Sequence, residues 1–174
     1  MKRNFGALHV YLINPLLNAA AFFYLDIFYD NFTYMEFTLH HYFFVLAWTL
    51  STVFGFFFYP LAAWDRLHIP YKRWFHAAAC ALLAVSGLIP YGAQYPSFSS
   101  TMHVTVIELG LLFLCIEWLV KLKYLPIPVL LHGLVLLSIC FLSVMYCGHV
   151  AALTEIIVSV LFNIALYRWQ AQKK

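Results

Sequence analysis

Charge is what this sequence has least of. Asp, Glu, Lys and Arg together make 10% of its 174 residues, against about 25% in an ordinary soluble domain. Hydrophobic residues make 64%, more apolar surface than a chain of this size encloses in one core. The imbalance excludes a water-soluble globule and makes the bilayer the solvent. A basic patch for nucleic acid is missing too, because the net charge of +3 is spread over four short segments. Cysteine is sparse. Cys80, Cys115, Cys140 and Cys147 include no Cys-x-x-Cys pair, which excludes a disulfide framework and a dithiol redox centre. No His-Glu-x-x-His or comparable metal spacing occurs, and there is no internal repeat or low-complexity tract.

What is present is a set of six long apolar runs. A helix rises 1.5 Å per residue and a hydrocarbon core is about 30 Å thick, so about 17–25 residues are needed to cross it. The runs at 5–24, 42–63, 74–91, 102–120, 125–146 and 150–167 meet that requirement. They are continuous, without the period-two alternation of barrel strands. The expected fold is therefore an all-α, six-helix transmembrane bundle forming a single integral membrane domain over 1–174.

The basic residues set its orientation. Lys2 and Arg3 precede the first run, and Arg66, Lys72 and Arg73 lie between the second and third. Lys121 and Lys123 lie between the fourth and fifth, and Arg168, Lys173 and Lys174 follow the sixth. Six crossings put every one of them on one side, which the positive-inside rule makes the cytoplasm. Both termini are then cytoplasmic. Asp26, Asp30 and Glu36 fall in the first outer loop. Trp64, Trp74, Trp118 and Trp169 map to the inner interface, and Tyr24, Tyr29, Tyr34, Tyr91, Tyr95 and Tyr146 map to the outer one. A competing reading takes the start, ending in Asn18-Ala19-Ala20-Ala21, as a cleaved signal peptide. The apolar run continues through Phe22, Phe23 and Tyr24, which favours a span. Compact loops and short tails suggest a bacterial cytoplasmic membrane.

Polar residues inside the runs are where function is expected. A carboxylate at mid-bilayer costs about 2.5–3.5 kcal/mol, so buried acids normally face the bundle interior. Glu117 and Lys121 stand at i,i+4 near the inner interface and read as a local pair. Glu108 sits about 9 Å below the outer end of the fourth run by helical rise. With Thr101, Thr105, Leu112 and Cys115 it forms a less apolar stripe expected to face inward. Glu155, Ser159 and Asn163 make a second seam on the sixth run. Pro15 should kink the first run, where Asn14 and Asn18 would bond the freed carbonyls or a neighbouring helix. Gly55, Ala77-Ala78-Ala79, Gly110 and Gly133 would allow close helix approach.

Histidine is frequent, at eight. His40, His41, His103 and His149 map to the outer interface, and His9, His68 and His76 to the inner one. His132 lies inside the fifth run. An outward-facing pocket would gather His41, His103, His149, Glu108 and Glu155. The competing readings are scattered packing roles, a zinc site, a proton relay, or a haem between His76 and His132.

The segment from Ser86 to His103, with Gly87 and Pro90 ending one helix and His103 opening the next, resembles the FRAG/DRAM/SFK group of small polytopic membrane proteins. The match covers about a fifth of the chain. It implies six spans, cytoplasmic ends and a link to membrane-lipid processes; the outer loop between residues 25 and 41 is shorter than that of larger members. The leading expectation is a non-enzymatic protein that binds a lipid or small apolar ligand in the outer His/Glu pocket. The alternative is a lipid-modifying enzyme using His103 with Glu108 or Glu155, and the third is a proton-coupled transporter. Expected partners are membrane lipids, with a second copy or another membrane subunit possible. No cofactor is specified by the residues, and no nucleic acid is expected.

Overall fold

The computed structural model describes residues 3–171, all of whose regular structure is helical. Helix α1 covers 3–21, the short α2 covers Phe32–Phe37, and α3 covers Tyr42–Leu67. Helices α4 (Arg73–Ser86), α5 (Ser97–Lys121), α6 (Ile127–Cys147) and α7 (Ala152–Ala171) follow. Four of these, α3, α5, α6 and α7, are long and apolar enough to cross a membrane. Lys2, Lys173 and Lys174, used above in the charge sorting, lie outside the described residues.

The first and third runs form shorter helices than expected. The apolar part of α1 is Phe5–Ala21, and α4 ends at Ser86 rather than reaching residue 91. Fourteen residues rise only about 21 Å. The stop is local: Ser86 Oγ donates to the Leu83 carbonyl, and Pro90 has no N–H with which to continue a helix.

Prolines shape the other helices differently. Ahead of Pro15, α1 widens into a π-turn over His9–Ile13, in which the Asn14 N–H reaches back to the His9 carbonyl. The wider turn takes up the crowding that a proline ring imposes one turn earlier. Pro60 lies inside α3 without breaking it. Its missing N–H leaves the Phe56 carbonyl without its helical donor. His76 Nε2, on α4, lies 3.0 Å from that oxygen and 3.2 Å from the Phe57 carbonyl. The orphaned acceptor thus becomes a fastening point between helices.

Helix α3 is central. It runs antiparallel to α1, since His9 bonds Tyr59 and Ser51 while Asn18 bonds Trp48. It is antiparallel to α4 and parallel to α7, through Thr52–Ser159 and Arg66–Trp169. A fully buried polar layer joins these elements. Ser159 Oγ accepts from Asn14 and Asn18, both at 3.0 Å, and bonds Thr52 Oγ1 at 2.6 Å. Asn163 donates to the Ser159 carbonyl at 2.7 Å and to the Thr52 carbonyl at 3.3 Å. A second π-turn, Val158–Phe162 on α7, lies at this layer. Where lipid replaces water, apolar burial adds little between helices, and such bonds contribute about 0.6–1.7 kcal/mol each.

Gly55 is the close-approach point: an added Cβ would lie 1.5 Å from Asn163 Oδ1. Gly110 serves α4 and α5 in the same way, with Leu83 at 2.9 Å and the Ala79 carbonyl at 3.2 Å. Gly133 has nothing within 4 Å, which corrects its expected packing role. It belongs to α6, where Ser143 is the only buried residue. Gly55→Ala should therefore cost about 1–3 kcal/mol by overpacking, while Gly133→Ala should stay within about 0.5 kcal/mol. Thermal unfolding in detergent distinguishes them; equal melting temperatures would contradict the packing.

Candidate functional site

The five residues expected to share an outer pocket have separate partners. His103, 5% exposed, directs Nδ1 to the Ile89 carbonyl at 2.9 Å and packs against Tyr91 and Phe37. Glu155 Oε2 accepts the Phe32 N–H at 2.8 Å and so caps α2. His41 packs against Tyr24, with ring centres 4.5 Å apart. His149 bridges the Cys147 and Tyr29 carbonyls at 3.0 and 2.9 Å. Glu108 is exposed on the outer face of α5. No hydrogen bond or ion pair joins any two of the five among the described residues.

The stripe on the fourth run requires a correction. Thr101, Thr105, Glu108, Leu112 and Cys115 all face away from the other helices. The inward face of α5 is His103, Gly110, Glu117 and Lys121. Two physical facts decide between the faces. Gly110 lets the α4 backbone come close, and Glu117 finds partners inside that Glu108 would not.

Those partners make Glu117 more than an interfacial pair. Glu117 and Lys121 are each 4% exposed, and His76 is fully buried. Lys121 Nζ donates to Glu117 Oε1 at 3.0 Å, and His76 Nδ1 lies 2.6 Å from Oε2. His76 Nε2 lies within hydrogen-bond reach of the Phe56 and Phe57 carbonyl oxygens, with the Cys80 thiol 3.9 Å away. A short hydrogen bond joins Nδ1 to the carboxyl group. The Lys121 ammonium also sits 4.4 Å from the centre of the Trp64 ring. Trp64, Trp118 and Trp169 close this end of the molecule. Because His76 is committed to this cluster and His132 is exposed on α6, the two do not form a haem pair. Among the described residues no group of three or more His, Cys, Asp or Glu side chains is placed to hold a metal.

The opposite end is built differently. The loop before α2 supplies carbonyls to the start of α7: Ala152 N–H donates to Asp30 at 2.6 Å and Leu153 N–H to Ile27 at 2.9 Å. These satisfy donors that a helix start leaves open. Asn31 Oδ1 caps α2 by accepting the Tyr34 N–H at 2.8 Å. Phe32 stacks on Trp48 at 3.9 Å, and Trp48 Nε1 donates to Asn18. The short helix is thereby tied to the polar layer. His40, in the left-handed region at φ 62°, turns the chain from α2 into α3.

This arrangement holds Glu36 in place, 4% exposed. Its carboxyl group has no hydrogen-bond partner among the described residues. Burial pushes its pKa from 4.5 up to about 7. It lines a crevice of about 330 Å³ together with Phe37, Tyr42, Phe43, Leu46, Gly87, Leu88, Pro90 and Tyr95. Three aromatic rings line the crevice with the acid: Phe37 meets Tyr42 and Tyr95 edge-on at 5.8 and 5.6 Å. In sequence Glu36 reads as an ordinary solvated acid of the first outer loop. The available signal was an acid between Met35 and Phe37 in a loop with no basic residue.

No protein-family model, curated protein or solved structure matches this chain. The geometry alone therefore carries the functional reading.

Removing Glu117 should strand a buried ammonium and a buried imidazole. Glu117→Ala should cost about 3–5 kcal/mol, read as loss of the folded fraction in detergent. A variant as stable as the parent would mean that the cluster is not buried as described.

Proposed function

We propose that this chain is a six-span membrane protein with both termini cytoplasmic, and that it binds a lipid or small apolar ligand in the outer crevice beside Glu36. The observation that carries the reading is a largely buried acid with no hydrogen-bond partner among the described residues, its carboxyl oxygens open to an otherwise aromatic and aliphatic crevice. An unpaired buried polar group is costly unless something meets it, and a mostly apolar cavity with one polar anchor is the usual form of a small-ligand site. The membrane orientation is supported by the alternating helix directions. They bring Arg66, Lys121 and the Trp cluster to one end, and Glu36, Asp30 and His149 to the other.

The mouth of the crevice fits an amphiphile. Phe43 is 89% exposed and Leu88 63% exposed, so apolar surface continues from the cavity onto the side of the bundle. Leu46 lies about one turn deeper along α3 than Phe43. Gly87 and Pro90, two of the positions that carry the resemblance to the FRAG/DRAM/SFK group, belong to the same wall. That resemblance points towards a membrane-lipid process. A lipid-modifying enzyme draws no comparable support, because His103 is directed at the Ile89 carbonyl and Glu108 faces outward.

Two measurements test this reading. In a variant whose four native cysteines are replaced by Ser, an impermeant thiol reagent added to intact cells should label Gln94→Cys and not Arg66→Cys; the reverse pattern would overturn the orientation. Leu46→Trp should fill the crevice and reduce the lipid that co-purifies, measured by mass spectrometry, and unchanged lipid would remove the site.

A pH dependence also follows. The folded-state pKa of Glu36 is above its unfolded value, so folding favours the protonated acid. That contribution is complete below about pH 4.5 and is lost as pH rises to about 7. Facing groups are Tyr42, with His40 at 3.0 Å from its hydroxyl, and Tyr95, with His103 behind Phe37. Unliganded protein should lose stability between pH 5 and 8, and Glu36→Gln should flatten that slope. A slope unchanged by the substitution would contradict the burial of the acid.

A further inference from the structure

The crevice described above has a chemical preference written into its walls. Its single ionisable acid has no hydrogen-bond partner among the described residues, and the rings of Phe37, Tyr42 and Tyr95 line the same walls. No Lys or Arg lines it, and the outer loops contain none. A carboxylate among aromatic faces matches a cation that carries apolar groups, because ring faces attract positive charge and the acid neutralises it. An anionic group meets the opposite field: one carboxylate, no cation to receive it, and ring faces that repel it.

We propose that the Glu36 crevice is a binding site for an ammonium-headed amphiphile, with the ammonium group between Glu36 and the rings of Phe37, Tyr42 and Tyr95. The inference rests on the ligand-binding reading above and specifies its chemistry. The ammonium group occupies the 330 Å³ cavity, and the chain of the amphiphile lies along Leu46, Phe43 and Leu88 at the mouth. Its phosphate or glycerol portion stays at the rim. The source is a membrane lipid rather than a free cation because the exposed wall residues, Phe43 and Leu88, extend the apolar surface beyond the cavity.

Other features of the molecule carry less. The His76–Glu117–Lys121 cluster is paired within itself. The second outer hollow, lined by Tyr29, Asp30, Asn31 and residues of the 91–94 loop, has no buried unpaired group. The outward face of α5 exposes Glu108, and a lone exposed acid points to no particular ligand.

The test uses the full-length protein purified and reconstituted in nanodiscs of phosphatidylglycerol, titrated with phosphatidylcholine or phosphatidylethanolamine. Bound lipid is read by native mass spectrometry and thermal shift. Parallel arms use diacylglycerol, as an uncharged lipid, and tetramethylammonium chloride, as a cation without a chain. The expected result is selective retention of the ammonium-headed lipids. Glu36→Gln should weaken that retention about tenfold, and Tyr95→Leu about threefold, with Tyr95→Phe keeping most of it. Tetramethylammonium binding equal to that of the lipids would overturn the amphiphile and leave a soluble cation as the ligand. Equal retention of diacylglycerol or phosphatidylglycerol, unaffected by Glu36→Gln but abolished by Leu46→Trp, would overturn the ammonium preference while leaving the crevice as a lipid site. No retention by the parent of any lipid, with Leu46→Trp indistinguishable from it, would remove both. Should Glu36→Gln fail to fold, the Tyr95 pair decides between ring face and mere volume.

Discussion

A polar atom withdrawn from water into a helix bundle needs a partner from the protein itself, and most of this structure follows from that constraint. Ser159 shows it best. One hydroxyl, fully buried, meets Asn14, Asn18 and Thr52, side chains from α1 and α3. Pro60 shows the same rule from the backbone side. By withholding an N–H it leaves the Phe56 carbonyl open, and His76 fills the vacancy from α4. Near Pro15 the helix answers differently, by widening into a π-turn. In each case a local defect in a helix becomes either a fastening point or a local change of pitch.

Two glutamates illustrate the consequence for function. Glu117 is buried with its charge met by Lys121 and its second oxygen met by His76. Its environment is closed by Trp64 and Trp118, so it holds helices together. Glu36 is equally buried but has no hydrogen-bond partner among the described residues. It stands in a crevice open to the side of the bundle, with aromatic rings around it. The same side chain is a structural bolt at one end and an unfilled acceptor at the other. A ligand that supplies the missing partner explains the second arrangement without strain on the first. The short helix that positions Glu36 is itself secured by Glu155, Trp48 and Asn18, which links the crevice to the central polar layer.

Much of the architecture is legible in the residues. The long apolar runs become helices, and the Glu155–Ser159–Asn163 seam turns inward at Ser159 and Asn163. Asn14 and Asn18 bond a neighbouring helix, as their one-turn spacing suggests. The inward face of α5 was not legible. That helix carries polar or small residues on two faces, one through Thr101, Thr105 and Glu108 and another through His103, Gly110, Glu117 and Lys121. Periodicity describes both equally well. The choice depends on His76, which lies 41 positions from Glu117, and helical spacing within one segment contains no information about such a partner.

The outer site was hidden for a related reason. In sequence, Glu36 is one acid in a loop beside two aspartates, and loop acids are ordinarily solvated. Six residues of helix, the left-handed His40 and the cap from Glu155 bring it under cover. Composition and the spacing of apolar runs therefore decided that the chain is helical and suited to lipid, because those properties depend on each segment alone. Which acids are paired, which are stranded, and which of the eight histidines fasten helices were decided only by tertiary structure. Pairing energies depend on distance between segments, and that distance exists only once the helices have packed.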